Sequence, residues 1–307
     1  MAFLYALPGA AAQGLIWGLM AIGVYISYKI LDIADLTVDG SICTGGCVCA
    51  VLLAAGVPAW VAVLAAFIAG ALTGVVTGLL HTLLGIPSIL AGILTQLMLY
   101  SVNLLILEGK SLLYIDPRAN QLLVNQIDNT GAVITLVLIV AATIFLLYEF
   151  FYTEIGLTLK STGDNPDMSR AQGINVSRNK VIGLAIANAI VAMAGALLAQ
   201  YKGSANINDG RGAIVIGLAA IFIGLSVSLK IKPNFVVSLI GVVCGGVVYY
   251  IVYNFVILLG LSTDYLKMLS ALIVALFLGV PYLKTKYLTR QKDLHAVARE
   301  KGGEGNA

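Results

Sequence analysis

Few side chains in this chain are able to do chemistry, and their spacing narrows what that chemistry is. Asp32, Asp35 and Asp39 follow Lys29 and form an acidic cluster beside an apolar segment. They are too isolated and loosely spaced to hold the magnesium and diphosphate that a membrane-embedded prenyl transferase needs. Cys43, Cys47, Cys49 and Cys244 all lie in apolar runs, with His81 and His295 as the imidazoles. Those intervals make neither a zinc ribbon nor a Cys-x-x-Cys redox pair, so the thiols read as small buried or lipid-facing residues. Residues 156–163 begin like a phosphate-cradling loop, but Lys-Ser or Lys-Thr does not follow, and GxxxxGK[ST] occurs nowhere. The expectation is a chain that is not an enzyme, with no catalytic residue, no metal and no cofactor.

The elements that would position these residues are membrane spans. The chain has 307 residues, 60% of them hydrophobic and 11% charged, with a net charge of +3 and a mean hydropathy of +0.97. A soluble domain carries about 25% charged residues, so this is an all-α integral membrane protein. The small net charge gives no nucleic-acid surface. Spans of about 20 apolar residues are predicted near 10–28, 41–57, 59–80, 87–107, 131–151, 181–199, 213–229, 234–258 and 265–283. That makes about nine transmembrane helices. No charge precedes Lys29, so the first apolar run reads as a span and not as a cleaved leader. In the polar interval 108–129, Leu122, Leu123 and Ile127 suggest a surface helix.

Lys and Arg in short loops set the orientation. Lys160, Arg170, Arg178 and Lys180 place the central loop in the cytoplasm, as do Lys230 with Lys232 for a later loop and Lys284, Lys286, Arg290 and Lys292 for the tail. Counting back puts the N-terminus outside and residues 32–39 inside. The domains expected are a transmembrane domain over 1–283, with its cytoplasmic loop at 152–180, and a cytoplasmic basic tail over 284–307.

The longest polar interval, 154–180, contains a short helix with both ends signed. Asn165 is a good N-cap, Pro166 suits the first helical position, Asp167 complements the positive end of the dipole, and Gly173 supplies a left-handed stop. Gly156-Leu157, Lys160, Gly163-Asp164-Asn165, Ala171 and Gly173-Ile174-Asn175 resemble the cytoplasmic loop of ABC importer permeases of the branched-chain amino acid and ribose type. That family usually has Arg and Ala where Lys160 and Ser161 stand. Asp35-Leu36-Thr37-Val38-Asp39-Gly40 is similar to the Asp-Leu-Ser-Val-Gly element of sugar permeases, loosened by the extra Asp39.

The resemblance implies a vitamin B12 importer-like (type II) permease fold. It also implies a coupling helix in the loop, a separate ATPase subunit, a second permease copy and an extracytoplasmic solute-binding protein, all at a bacterial cell membrane. Asp164 and Arg170 are the expected ATPase contacts. The binding protein would dock on the outer loops, 108–130 and 200–212. The solute class nearest the loop wording is an amino acid, aromatic or branched-chain.

Polar residues within or near spans are candidates for the translocation path. They are Ser88, Thr95, Gln96 and Asn103 on the fourth span, Asn188 on the sixth, and Thr37 with Ser41 near the second. The competing reading for each is an interhelical hydrogen bond. Gly70, Gly74 and Gly78, like Gly241, Gly245 and Gly246, have the spacing of close helix packing, within the chain or between copies. Residues 36–40 and 205–210 each lead into a Gly-rich or apolar span with an odd number of spans between, which is compatible with an inverted repeat. Few spans carry an ionisable residue near the centre, which argues against the alternative of an ion-coupled secondary transporter. A membrane scaffold is the plainest remaining alternative.

Overall fold

Long apolar runs become helices because a helix satisfies its own backbone N–H and C=O groups, which lipid cannot do. The computed structural model describes residues 2–117, 122–228 and 234–258, together with residues 268, 271, 272, 275 and 279. In chain order these contain α1 (Ala2–Tyr25), continued by a π-helical turn at Ile26–Ile30, then α2 (Val38–Ala54), α3 (Ala59–Thr82) and α4 (Ser88–Ile106). A short strand β1 (Leu112–Tyr114) precedes α5 (Asn129–Tyr152), α6 (Glu154–Asp164), α7 (Pro166–Ala171) and α8 (Val176–Lys202). The strand β2 (Ser204–Asn206), α9 (Ala213–Ser228) and α10 (Phe235–Leu258) complete the order.

Six helices among the described residues are long and apolar enough to cross a membrane, in α1, α3, α4, α5, α8 and α10. The stretches expected to span near 41–57 and 213–229 form the shorter apolar helices α2 and α9, of 17 and 16 residues. A ninth span near 265–283 and the tail over 284–307 lie outside the described residues, apart from the isolated positions. The chain divides into two units, 1–261 and 262–307, and helices α1 to α10 all belong to the first.

Small residues bring the helices together. On α3, Gly70 meets the Asn188 carbonyl and Ala192, Gly74 the Leu184 carbonyl, and Gly78 Val181, all on α8. On α2, Gly45 packs on Ala192, and Gly195 of α8 packs in return on the Ile42 carbonyl. Gly246 of α10 lies on Gly14 and Gly18 of α1, and Gly245 on the Ala220 carbonyl of α9. The glycine series thus serve packing within one chain. The large apolar residues point the other way. Trp60, Leu64, Ile68 and Leu72 form an exposed stripe on α3, each more than half exposed, while Ala62, Ala66, Gly70 and Thr73 on the same helix are buried. A soluble helix shows the reverse, and the stripe is what lipid contact requires.

Two ends of the bundle can be told apart. At one end sit α6 and α7. At the other, β1 and β2 pair antiparallel with Leu112 opposite Asn206, joining the two polar intervals. Residues 122–128 contain no helix, so the expected surface helix is absent. Instead, the Leu123 N–H donates to Gln200 Oε1 at 3.0 Å. α1 runs from the strand end, where Tyr201 Oη meets the Gly9 carbonyl, to the loop end, where Gly163 of α6 packs on the Ile30 carbonyl. α8 runs the opposite way.

After each of these two helices the chain turns back without helix, over 31–37 and over 203–212 apart from β2, and only then starts a short one. The short helices begin head to head. Gly210, ahead of α9, lies against the Asp39 carbonyl of α2, and the Asp39 carboxylate accepts from the N–H groups of Gly212 and Ile214, both at 2.9 Å. From that junction α2 runs towards the strands, where Cys47, Leu107 and Ile207 form a cluster. α9 runs beside α1 towards the loop end, with Gly217 on Met20 and Phe222 edge-on to Tyr28. The three carboxylates of residues 32–39 thus differ in setting, with Asp32 exposed, Asp39 half-buried and Asp35 only 2% exposed.

Candidate functional site

The loop at 153–175 is built by local capping. Thr153 Oγ1 accepts from the Gly156 N–H at 3.3 Å and starts α6, a helix that the sequence reading, with its one short helix after Asn165, did not predict. Asn165 Oδ1 accepts from the Met168 N–H at 3.0 Å, with Pro166 in the first turn of α7, and Asn175 Oδ1 does the same for Arg178 at the start of α8. Gly173, at φ +81°, donates to the Arg170 carbonyl, and Ile174 to that of Ser169. A positive φ suits glycine because no Cβ clashes there.

The pair is fastened down as well as capped. Leu159 is fully buried, Asn179 donates to Thr162 Oγ1 at 3.0 Å, and Ser161 and Ser169 share a 2.9 Å hydrogen bond that ties α6 to α7. Gly156 packs on the Phe150 carbonyl and Gly163 on that of Ile30. The outward face carries Leu157, Lys160, Asp164, Met168, Arg170 and Ala171, all exposed, while Ile174 is half-buried. Arg170 pairs with Asp167 at 3.2 Å, both well exposed. Such an ion pair adds little stability, about 0–1 kcal/mol. The loop is thus a firm platform presenting apolar and charged side chains together.

The residues predicted for a translocation path separate into two groups. Thr37, Ser41, Thr95 and Asn188 are at most 1% exposed and belong to one network. Thr37 and Thr77 share a 2.7 Å hydrogen bond, and Thr77 donates to Thr95 at 3.0 Å. Ser41 bonds both Thr73, at 2.7 Å, and Asn188 Oδ1, at 2.6 Å. Asn188 Nδ2 donates to Asp35 Oδ2 at 2.7 Å, while Asp35 Oδ1 accepts from the Thr37 N–H at 2.9 Å. These bonds tie α2 to α3, α4 and α8, and their hydroxyls and amide are turned on one another.

Gln96 and Asn103 form the second group. Both line a cavity of about 330 Å³ together with Asp39, Cys43, Tyr100 and Arg211. Ser88 stands apart from both groups, half-buried in the first turn of α4. Sequence reasoning did not single out Thr73, Thr77, Tyr100 or Arg211. Asp35 and Asp39 were seen, but only as members with Asp32 of an acidic cluster near the membrane. The likeness of 36–40 to 205–210 was the available signal for the junction at Asp39. Cys43, Cys47 and Cys49 are buried and Cys244 is exposed, and no His, Cys, Asp or Glu group that could hold a metal occurs among the described residues.

Comparison with known proteins agrees with this architecture. Residues 7–279 match the family model described as the branched-chain amino acid transport system / permease component. A tyrosine transport system permease protein of Clostridioides difficile (strain R20291) is 38% identical over 271 residues, covering 87% of this chain and 88% of that protein. An uncharacterized protein of Rickettsia prowazekii (strain Madrid E) is 31% identical over 281 residues, covering 91% of this chain and 98% of its own length. No solved structure matches the chain. The chain belongs to the branched-chain amino acid transport permease family of ABC transporters, as a multi-pass membrane protein of the bacterial plasma membrane.

Proposed function

We propose that this permease forms the membrane path of an ATP-driven amino acid importer and is moved by a separate ATPase docked on α6 and α7. The observation that carries the reading is the fastened, doubly capped loop with Leu157, Met168, Lys160 and Arg170 outward. Transmitting a push needs a rigid body seated on the helices that must move. α6 is seated on the Ile30 carbonyl at the end of α1 and bonded to Asn179 of α8. The relative named for tyrosine transport supports tyrosine or a related aromatic amino acid as the solute.

In this reading the loop end faces the cytoplasm, in keeping with its Lys and Arg residues, and the β1–β2 end receives a solute-binding protein. Two copies of the chain complete the path. α1–α2 and α8–α9, running in opposite senses and meeting at Asp39, act as an inverted repeat, the construction by which one site is exposed alternately to the two sides.

The test is co-purification and ATP-driven tyrosine uptake in proteoliposomes, with the ATPase encoded beside this chain. Wild type is expected to form the complex, and Leu157→Glu with Met168→Glu is expected to release the ATPase while leaving the permease folded. Full coupling in the double variant would overturn the docking face. One observation favours a second reading as an ion-coupled carrier, namely the buried Asp35 carboxylate. Uptake that follows a proton or sodium gradient without any ATPase, and is lost in Asp35→Asn, is the result that would favour it.

A further inference from the structure

The polar cavity between α2, α4 and the turn ahead of α9 has a balanced charge set that packing does not require. Its lining brings together one carboxylate, Asp39, and one guanidinium, Arg211. The ion pairs among the described residues join Arg170 to Asp167 and Lys202 to Asp209, so neither Asp39 nor Arg211 is neutralised by such a pair. The Asp39 carboxylate holds the N–H groups of Gly212 and Ile214, which leaves acceptor capacity on both oxygens.

An independent observation points to a ligand. Asn103, also in the lining, is 1% exposed, and its Oδ1 is buried with no hydrogen-bond partner. An unmet buried amide is costly, and a ligand group that bonds it recovers that cost. Tyr100 adds an exposed aromatic face to the same wall, and Gln96 a half-buried amide. The volume of about 330 Å³ lies within the range of small-molecule sites.

We propose that this cavity is a transit site for a zwitterionic α-amino acid. The ligand carboxylate meets the Arg211 guanidinium, its ammonium group meets the Asp39 carboxylate and the Asn103 amide, and its side chain lies on Tyr100. Opposite charges that no ion pair among the described residues joins, set in one small cavity, suit a molecule that carries both signs, and a neutral sugar would leave them unanswered. The ammonium contact also falls at the junction where α2 and α9 start, so occupancy is sensed where the two oppositely directed halves touch. The inference rests on reading the chain as an amino acid permease and names where its solute is recognised.

The experiment has two arms. In proteoliposomes with the ATPase and binding protein, Arg211→Gln is expected to lower L-tyrosine uptake about tenfold or more while ATP hydrolysis stays within about twofold of wild type. Arg211→Lys restores most of the uptake, and Asn103→Leu lowers it about threefold to tenfold. In detergent, without ATPase, the permease carrying Gln96→Cys and Cys244→Ser is labelled with a methanethiosulfonate reagent. L-Tyrosine and L-leucine slow the labelling, tyramine, which lacks the carboxylate, does not, and adding Arg211→Gln removes the protection. Wild-type uptake in Arg211→Gln, or labelling indifferent to both amino acids, overturns the site. Protection that persists in a protein showing no ATP-driven uptake supports the site and overturns only the ATP-driven reading.

Discussion

The loop helices α6 and α7 and the junction of α2 with α9 solve the same problem, an unsatisfied helix N-terminus, in opposite ways. In the loop each cap is three residues from the N–H it serves, with Thr153 to Gly156, Asn165 to Met168 and Asn175 to Arg178. At the junction, Asp39 of α2 satisfies the start of α9 from 173 residues away. Water surrounds the loop and can replace a lost cap at modest cost. At the junction the cap is long-range, carries a charge and joins the starts of two helices, with its bond to Ile214 half-buried. The loop is a firm outward surface held by its own local caps, whereas the junction holds the starts of two helices to one another.

The strongest way to break this contrast is Asp39→Leu. It removes two charge-assisted hydrogen bonds, the exposed one to Gly212 and the half-buried one to Ile214, and at up to about 1.5–3 kcal/mol each the melting temperature in detergent is expected to fall sharply. Asp39→Asn keeps one acceptor oxygen and is expected to fall about half as far. Asn188→Leu comes next, because it removes a donor from the buried Asp35 carboxylate and the acceptor for Ser41, at about 2–3 kcal/mol.

Asn165→Ala sharpens the contrast from the other side. Its cost is about 1 kcal/mol and is confined to α7, so amide exchange over 166–171 is expected to quicken with the melting temperature unchanged. Smallest in stability is Arg170→Ala, within about 0.5 kcal/mol, since its ion pair with Asp167 is exposed. Its effect is expected in ATPase affinity, read by co-purification over a salt series. Should Asn165→Ala depress melting as deeply as Asp39→Leu, the distinction between a local cap and one that joins two helices fails.

Much of the architecture was legible because its signals are local. Long apolar runs, their glycine spacing and the boundaries of α3, α4, α5, α8 and α10 follow from a hydrophobic length and helical period. The same ruler found helices near 41–57 and 213–229 but not that α2 and α9 are short and preceded by chain that doubles back. Apolar composition alone does not separate a full span from a broken one, because both are surrounded by protein and lipid. The second loop helix α6 was missed because Gly156 and Gly163 weaken helix propensity. Those glycines are there for contact with Phe150 and Ile30, which no local pattern reports.

The residues predicted for a translocation path divide along the same line. Thr37, Ser41, Thr95 and Asn188 look alike in sequence to Gln96 and Asn103, being polar residues in apolar surroundings. Their partners decide the difference, and those partners are as far as 147 and 153 residues away. By itself the sequence determined a membrane-spanning chain and a polar loop with a capped α7, because hydrophobic length and i to i+3 capping act within reach of the local backbone, and the motif of that loop pointed to the family by resemblance. Only the tertiary structure decided that Asp39 holds the start of α9, that Asp35 is buried on Asn188, and that Arg211 shares a cavity with Asn103. Those contacts exist only after α2, α4, α8 and α9 have packed, since the chain between them is too long for any local rule to span.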